Sequence, residues 1–330
     1  MKDHSIKLAI LHILAQGGFH SGEQLGEKFG VSRAAISKHV KGIQQWGVDI
    51  FSVQGKGYQL ATPMQLLDQA LLSKQLTTPV QLIPIIDSTN QYLLERIDSL
   101  ESGAVCIAEY QAKGRGRRGR EWVSPFGANL YLSMFWRLDA GMAAAMGLSL
   151  VVGVAIVEAL EELGLNDVKL KWPNDLYYHD RKLAGILVEM SGQAGAAANL
   201  VIGMGMNLTM AEDTQGITQP WTSLTEVAQS QPFDRNQLAV TMIQTLHRAL
   251  SDYEVYGMHG FVERWNRLDN YIGRPIKLIM GSREISGIAK GINEQGAVLL
   301  ETEHGIESFI GGEISLRVAS SDTTTIRHSE

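Results

Sequence analysis

The segment Gly114-Arg115-Gly116-Arg117-Arg118-Gly119 combines residue types that suit the binding of anions. It lies within residues 111–120, called the basic loop below, which contain five basic side chains and no acidic one. Glycines let a backbone close around a ligand, and guanidinium groups pair bidentately with phosphate oxygens. The pattern predicts a small-anion site, with a solvated hairpin tip or a second nucleic-acid patch as the alternatives.

The same residues match the dinucleotide-binding fingerprint G-x-G-x-x-G, and Asp139 lies twenty residues beyond Gly119. That fingerprint must open a helix whose N-terminus holds the pyrophosphate. Here Pro125 follows, and residues 128–136 form a strand-like apolar run. We therefore expect the basic loop to join two strands, at residues 104–110 and 128–136, and we reject a Rossmann site.

A second polar cluster begins with the sequence Lys171-Trp172-Pro173-Asn174-Asp175. Residues 168–171 predict a strand, the proline and Asn-Asp predict a turn, and residues 176–179 and 183–190 predict a hairpin. Four side chains would then converge at one end of a sheet: Lys171, Asn174, Asp175 and Lys182. Lysines there could hold a phosphate as point charges, and Asp175 could bind Mg²⁺. Each residue taken alone is also typical of a surface turn.

The first 62 residues predict a winged helix-turn-helix. Ser21 begins a capping box, Ser32 can cap a third helix, and residues 48–60 alternate toward a glycine-flanked tip, as in a β-hairpin wing. Residues off the apolar stripe of the third helix are basic or short and polar, as a recognition helix requires. The predicted DNA-binding residues are Ser21, Ser32, Arg33, Ser37, Lys38, Lys41 and Lys56. The alternative is a small helical adaptor with a solvated basic face.

The uneven distribution of charge along the chain suggests that its two parts bind different partners. The formal charge of −6 divides into +3 for residues 1–62 and −9 for residues 63–330. Apolar residues make up 45% of the 330 and charged residues 19%, so a large core is possible and global disorder is not expected. The single cysteine, Cys106, excludes an intramolecular disulfide and a multi-thiolate metal site. Its apolar neighbours favour a buried structural thiol over a nucleophile.

The remaining patterns outline the elements around these clusters. We expect strands at residues 80–86 and 199–208, a helical run at 234–268, and short alternating strands over 273–318. The uncharged stretch 140–157 falls short of the ~20 apolar residues that span a bilayer and predicts a buried core helix. No signal peptide fits the N-terminus. We therefore expect a soluble, cytoplasmic protein without membrane partners.

The motifs taken together resemble those of biotin protein ligases. The resemblance rests on Gly114–Gly119, on Trp122-x-Ser124-Pro125-x-Gly127-x-Asn129-Leu130-Tyr131, on Lys171–Asp175 and on Lys182-Leu183-Ala184-Gly185-Ile186-Leu187. With the helix-turn-helix, the whole chain is similar to the bifunctional ligases that also repress the biotin operon. This implies a mixed α/β fold with a head (1–62), a synthetase-like catalytic domain (63–270), an SH3-like β barrel (271–318) and a polar tail (319–330).

The resemblance also implies a chemistry. Such ligases use MgATP to convert biotin to biotinyl-5′-AMP and transfer it to a lysine of the biotin carrier subunit of acetyl-CoA carboxylase. The same adenylate would promote a homodimer that binds operator DNA. A lipoate or octanoate ligase, which shares the architecture, and a ligand-sensing repressor without catalysis are the alternatives. The basic loop joined to Lys-Trp-Pro-Asn-Asp favours biotin, and retention of Arg117 and Lys182 favours catalysis.

Site residues follow from the matched motifs. For biotin they are Ser88, Thr89, Asn90, Gln111, Gly114, Arg115, Gly116, Arg117, Lys182 and Gly185, and for ATP and the adenylate Arg117, Arg120, Trp122, Lys171, Asn174 and Trp221. Catalysis is expected from the cations that neutralise a carboxylate and a triphosphate, namely Arg115, Arg117, Lys171 and Lys182. Ser88 could instead be a simple N-cap, and Trp221 could be a core residue. Arg118, Arg120 and Trp122 could serve loop closure or dimer contacts.

Overall fold

The computed structural model describes residues 3–192, 196–211, 214–310 and 314–318. The N-terminal head consists of α1 (Ser5–Ala15), α2 (Gly22–Phe29), α3 (Arg33–Gln44) and the hairpin of β1 (Ile50–Val53) and β2 (Gly57–Leu60). The capping box at Ser21 forms, and the Ser32 hydroxyl accepts a hydrogen bond from the third residue of α3. These caps satisfy amides that a helix start leaves without partners. The predicted winged helix-turn-helix is confirmed.

A seven-stranded mixed sheet with the order β3-β5-β7-β11-β10-β9-β8 forms the central part of the molecule. Its strands are β3 (Val80–Leu82), β5 (Val105–Ala108), β7 (Asn129–Leu138), β8 (Lys169–Lys171), β9 (Asp175–Tyr178), β10 (Arg181–Ser191) and β11 (Ala198–Asn207), and a small sheet pairs β4 (Ile85–Ile86) with β6 (Tyr110–Gln111). The basic loop joins β6 to β7 without a Rossmann helix, as predicted.

Two predicted strands are broken where their backbones turn aside. The run 80–86 divides into β3 and β4 at Pro84, whose carbonyl accepts hydrogen bonds from the amides of Glu109 and Tyr110. The run 104–110 divides at Glu109, whose buried carboxylate pairs with Arg235 at 2.7 Å. The two breaks redirect the chain so that β4 and β6 lie beside each other at the entrance to the basic loop.

Helices pack against the sheet and enclose the main core. They are α4 (Gln69–Gln75), α5 (Thr89–Leu94), α6 (Leu148–Glu162), α7 (Leu224–Val227), α8 (Arg235–Tyr256) and α9 (His259–Leu268). The prediction of a buried helix over 140–157 is wrong at its start: α6 begins at Leu148, after Gly147 at φ 86°. The helical run 234–268 is two helices, separated at Gly257. No helix of the described residues is long and apolar enough to cross a membrane.

The C-terminal part is a five-stranded antiparallel sheet with the order β15-β14-β13-β12-β16. Its strands are β12 (Pro275–Met280), β13 (Arg283–Ile292), β14 (Val298–Thr302), β15 (Gly305–Phe309) and β16 (Ile314–Val318). Ile276 and Leu278 of β12 belong to the same apolar cluster as the central helices, so the sheet packs on the central part of the molecule. Residues 311–313 of the predicted strand region and the predicted tail at 319–330 lie outside the described residues.

The head and the central sheet share an apolar cluster. Trp46, which follows α3, stacks on Phe126 with ring centroids 5.8 Å apart, and its carbonyl accepts a hydrogen bond from the Phe126 amide at 2.8 Å. Tyr110, Met64 and Leu66 pack against the same cluster.

Cys106 is completely buried elsewhere in the sheet, and burial raises the pKa of its thiol to about 12. It is a structural thiol, as the sequence predicted.

Candidate active site and DNA-binding face

The basic loop is folded back on itself as a small hairpin. The Gly116 amide donates to the Arg120 carbonyl at 2.7 Å, and the Trp122 amide donates to the Gly114 carbonyl at 2.9 Å. At the tip, Arg118 and Gly119 have positive φ angles. A Cβ on Gly114 would come within 2.5 Å of the Ser124 hydroxyl, so only glycine fits at the base of this hairpin.

One cavity lies between this hairpin, the start of α5, and strands β10 and β11. Every predicted ligand-site residue except Gly114 and Trp221 lines it, together with Asp175. Gly114 lies behind the wall, against Ser124 and Gln111. The backbone on either side of Trp221 runs beside Lys182, because Pro220 and Thr222 hydrogen-bond to the backbone of Lys182. In the same segment, Gln219 lines the cavity. The binding roles of these residues stay predictions.

The end of the cavity at α5 is a network of hydrogen bonds. Ser88 caps α5, and the Thr89 amide and hydroxyl both donate to the Gln111 side-chain oxygen, at 2.9 and 3.1 Å. The Asn90 side chain donates to the Leu187 carbonyl and the Glu189 carboxylate, and it accepts from the buried Ser133 hydroxyl. Asn90 is therefore held rigidly as part of the wall.

Glycines leave part of the sheet side of the cavity without side chains. A Cβ on Gly205 would lie 2.5 Å from the Trp122 indole, and one on Gly203 would lie 2.1 Å from the Asn90 side chain. The absence of side chains lets Trp122 lie directly on β10 and β11, against Gly185 as well. Trp122 Nε1 is buried and has no hydrogen-bond partner among the described residues. The result is a flat surface beside polar groups, which suits a small rigid ring with amide-like edges.

The opposite end of the cavity is cationic. Lys182 Nζ pairs with an Asp175 carboxylate oxygen at 2.8 Å, and the two side chains are only 14% and 17% exposed. Arg117 donates to the Asn174 side-chain oxygen at 2.9 Å, which joins the loop tip to the turn between β8 and β9. Burial lowers the pKa of Arg117. This end therefore presents partly desolvated positive charge, which is effective in binding phosphate and carboxylate groups.

Lys171 stands out among these cations. Its ammonium donates to the Tyr177 hydroxyl at 2.9 Å and lies 4.7 Å from the centre of that ring. Burial is the main cause that lowers its pKa to about 8, and neighbouring Arg317, Lys182 and Arg120 add to this effect. The amine consequently changes its charge close to neutral pH.

The predicted Mg²⁺ ligand does not fit a dedicated metal site. The Asp175 carboxylate is taken up by Lys182, and no group of three His, Cys, Asp or Glu side chains in the described parts of the chain could hold a metal ion. Mg²⁺ that accompanies a nucleotide is bound largely through the phosphates and water. Asp175 alone does not make a resident metal site, and its contact with nucleotide-bound Mg²⁺ stays a prediction.

Several residues of the site were missed in the sequence. Ser133 and Gly203 lie inside apolar strands, and Arg317 reaches the cavity from β16 of the C-terminal sheet. Gly203 and Arg317 are far from the motifs along the chain, so only strand pairing reveals them, whereas Ser133 lies just beyond the motif that ends at Tyr131. Glu189 was missed as well, although it lies at the end of a recognised strand.

The head presents its basic residues to solvent. Arg33, Lys38 and Lys41 of α3 and Lys56 at the wing tip are exposed, and Ser37 is half-buried between them. Ser21 and Ser32 serve as helix caps through their hydroxyls. Exposed cations along one helix and a hairpin tip form the type of face that follows a phosphate backbone.

Comparison with known proteins agrees with this architecture. Family models match residues 7–59 (HTH domain), 82–207 (biotin/lipoate A/B protein ligase family) and 271–317 (biotin protein ligase C terminal domain). The bifunctional ligase/repressor BirA of Salmonella typhimurium is 55% identical over 321 residues, covering 97% of this chain and 100% of its own. The Escherichia coli protein of the same name is also 55% identical, with 97% and 99% covered.

A solved biotin protein ligase structure has a similar fold over most of this chain. The biotin protein ligase from Aquifex aeolicus in complex with biotin and ATP matches with a TM-score of 0.64 at 31% identity, covering 73% of this chain and 99% of that chain. The fold and cavity define a protein ligase of the biotin/lipoate type with a DNA-binding head. At 55% identity over nearly its whole length, the chain belongs to the bifunctional ligase/repressor family. The predicted family and fold class are confirmed.

Proposed function

We propose that this chain activates biotin with ATP, transfers it to a lysine of the biotin carrier protein of acetyl-CoA carboxylase, and represses the biotin operon. The observation that carries the proposal is a single cavity that joins a flat, glycine-lined surface with polar edges to a cluster of partly buried cations. A ring with a urea group suits the first end. A carboxylate and a triphosphate suit the second.

The first step needs charge neutralisation. A biotin carboxylate oxygen attacks the α-phosphorus of ATP, pyrophosphate leaves, and a mixed anhydride forms. The two anionic reactants repel each other, so cations that are already in place lower the barrier. Arg117, Lys171 and Lys182 supply this charge, and Asp175 and Asn174 fix two of them in position. A magnesium ion supplied with the nucleotide would neutralise further phosphate charge.

The second step transfers the acyl group. The ε-amine of the carrier lysine attacks the acyl carbon, AMP leaves, and the amine loses a proton to form the amide. Until the carrier arrives, the anhydride must be kept from water. The hairpin of the basic loop, which covers the cavity through Trp122 and Arg117, is suited to this shielding.

Repression would use the exposed face of α3 and the wing. We infer that biotinyl-5′-AMP promotes a homodimer, which presents two copies of α3 to the two halves of an inverted-repeat operator. A two-fold symmetric dimer matches such a site because its recognition helices are spaced by about one turn of the duplex. The adenylate is then both the reaction intermediate and the corepressor.

One assay tests the ligase. The full-length protein is incubated with labelled biotin, MgATP and a carrier domain, and label is expected on a single carrier lysine. An unlabelled carrier would refute the ligase activity, and label derived from lipoate in place of biotin would identify the related ligase. Sedimentation with and without biotin and MgATP tests the dimer, which should appear only when both are present.

A further inference from the structure

An ion pair from the basic loop to the sheet is made by a carboxylate that no motif identifies. In it, Arg115 reaches across to Glu189 on β10, with 3.1 Å between guanidinium nitrogen and carboxylate oxygen. The same oxygen of Glu189 accepts a hydrogen bond from Asn90 at 2.8 Å. The start of α5, the basic loop and the sheet therefore meet at one atom.

We propose that Glu189 is a positioning residue that fastens the basic loop over the cavity and thereby retains the acyl adenylate. This rests on the proposed function for the identity of the ligand, but the contact itself does not. Asn90 and Arg115 both line the cavity, whereas Glu189 does not. Glu189 thus acts on the ligand through two other side chains and is not a catalytic residue.

The placement of the contact supports this role. The base of the loop is already tied to the strand end, since the Lys113 amide donates to the Asp87 carbonyl and the Lys113 ammonium pairs with the Asp87 carboxylate. The tip is tied to the turn by Arg117 and Asn174. Arg115 lies between these points, so its pair with Glu189 holds the side of the hairpin against β10. Opening the loop requires this pair to break.

The role of Arg115 changes accordingly. Its guanidinium is directed to the sheet, where Glu189 compensates its charge. The charge that faces the phosphates then comes from Arg117, Lys171 and Lys182. In this arrangement Arg115 controls how long the loop stays closed, and the other three cations control the chemistry.

The test separates loop opening from catalysis. Glu189→Gln removes the charge but keeps an oxygen that can accept from Asn90, whereas Glu189→Ala removes both. The matched control is Glu158→Gln, because Glu158 pairs with Arg264 at similar exposure (24% and 34%, against 28% and 40% for Glu189 and Arg115) and neither Glu158 nor Arg264 lines the cavity. Amide hydrogen exchange of residues 114–122 is measured on the full-length protein without ligand.

We expect exchange in this segment to rise about two- to fivefold in Glu189→Gln, the range for a half-exposed ion pair. Arg115→Gln should act equally, the double variant should be no worse than either single one, and Glu158→Gln should match the unmodified protein. The difference should shrink at high salt. Unchanged exchange in Glu189→Gln, or strictly additive effects of the two substitutions, would overturn the proposal.

A second readout uses the ligand. After biotin and MgATP are added, release of adenylate should accelerate by a similar factor in Glu189→Gln, while Glu189→Ala should also raise the KM for biotin because Asn90 loses its acceptor. Equal release rates in Glu189→Gln and the unmodified protein would also overturn the role. If the unmodified protein forms no adenylate, the proposed function fails, and hydrogen exchange still decides whether Glu189 holds the loop.

Discussion

Lys182 in the cavity is mostly buried and pairs with Asp175, whereas Arg33, Lys38 and Lys41 in the head are exposed along a single helix. Both regions are proposed to bind phosphate groups, but in different ways. Partly desolvated cations with fixed partners form a strong local field for one ligand in one orientation. Exposed cations each contribute little and act by displacing counterions, so their effects add along a polymer.

Salt should separate the two regions most clearly. Raising the salt concentration from 50 to 200 mM should weaken operator binding by about 10³–10⁵-fold if a dimer makes 6–10 phosphate contacts. The KM for ATP should change only a few-fold, because partly buried charges are screened less. Fluorescence anisotropy with an operator fragment measures operator binding, and steady-state kinetics measures the KM for ATP. Equal sensitivity would mean that the cavity charges are not desolvated as described.

Removal of one cavity cation should be costly for catalysis. Lys182→Met should slow adenylate formation by about 10²–10³-fold, or roughly 3–4 kcal/mol, because it removes a pre-placed charge and leaves Asp175 unpaired. Pyrophosphate exchange measures the rate. Lys41→Met, a matched loss of a lysine in the head, is the control and should leave this rate unchanged. A loss below tenfold in Lys182→Met would contradict a principal role for this charge.

Removal of one head cation should have a smaller effect, and only DNA binding should be affected. Lys38→Gln should weaken operator binding by about tenfold and reduce the salt slope by about one unit if Lys38 contacts a phosphate. Arg33→Gln should act similarly, or relax sequence preference if Arg33 contacts a base. Biotin transfer should be unaffected in both. A parallel loss of transfer would disprove the division of labour between the head and the cavity.

Lys171 should also make ATP binding in the cavity depend on pH. The pKa of Lys171 is lowered to about 8 by burial, so its positive charge is present below pH 8 and lost above it. Between pH 7 and 9 the KM for ATP should rise up to about tenfold, following the charged fraction. Lys171→Arg keeps its charge over this range and should remove the dependence. A flat profile in the unmodified protein would show that this charge does not contribute to ATP binding.

The sequence was sufficient for the parts that local rules control. Caps at Ser21 and Ser32, the hairpin wing and the course of the basic loop depend on residues close together in the chain, and all were predicted. The meeting of distant side chains in one site was predicted only where each residue belongs to a recognised motif, as for Lys171 and Lys182. Long-range contacts were missed, because nothing near Glu189 in sequence indicates Asn90, which lies 99 residues away.

Errors in the elements have a similar cause. The start of α6 was placed too early because residues 140–147 are uncharged like the helix itself, and the left-handed Gly147 that begins it does not stand out in a run with several glycines. The break at Glu109 depends on Arg235, which is 126 residues away. Apolar periodicity describes which residues are buried, but it does not show where a strand must bend to meet a distant partner.

The stacking of Trp46 on Phe126 bears on where the molecule can be divided. A cut after residue 62 would follow the boundary suggested by the sequence, yet it would pass through a continuous apolar cluster. Each fragment would then expose an aromatic ring to water, and the carbonyl of Trp46 and the amide of Phe126 would lose each other as partners. The head and the part that carries the cavity are therefore joined by side-chain packing as well as by the chain itself.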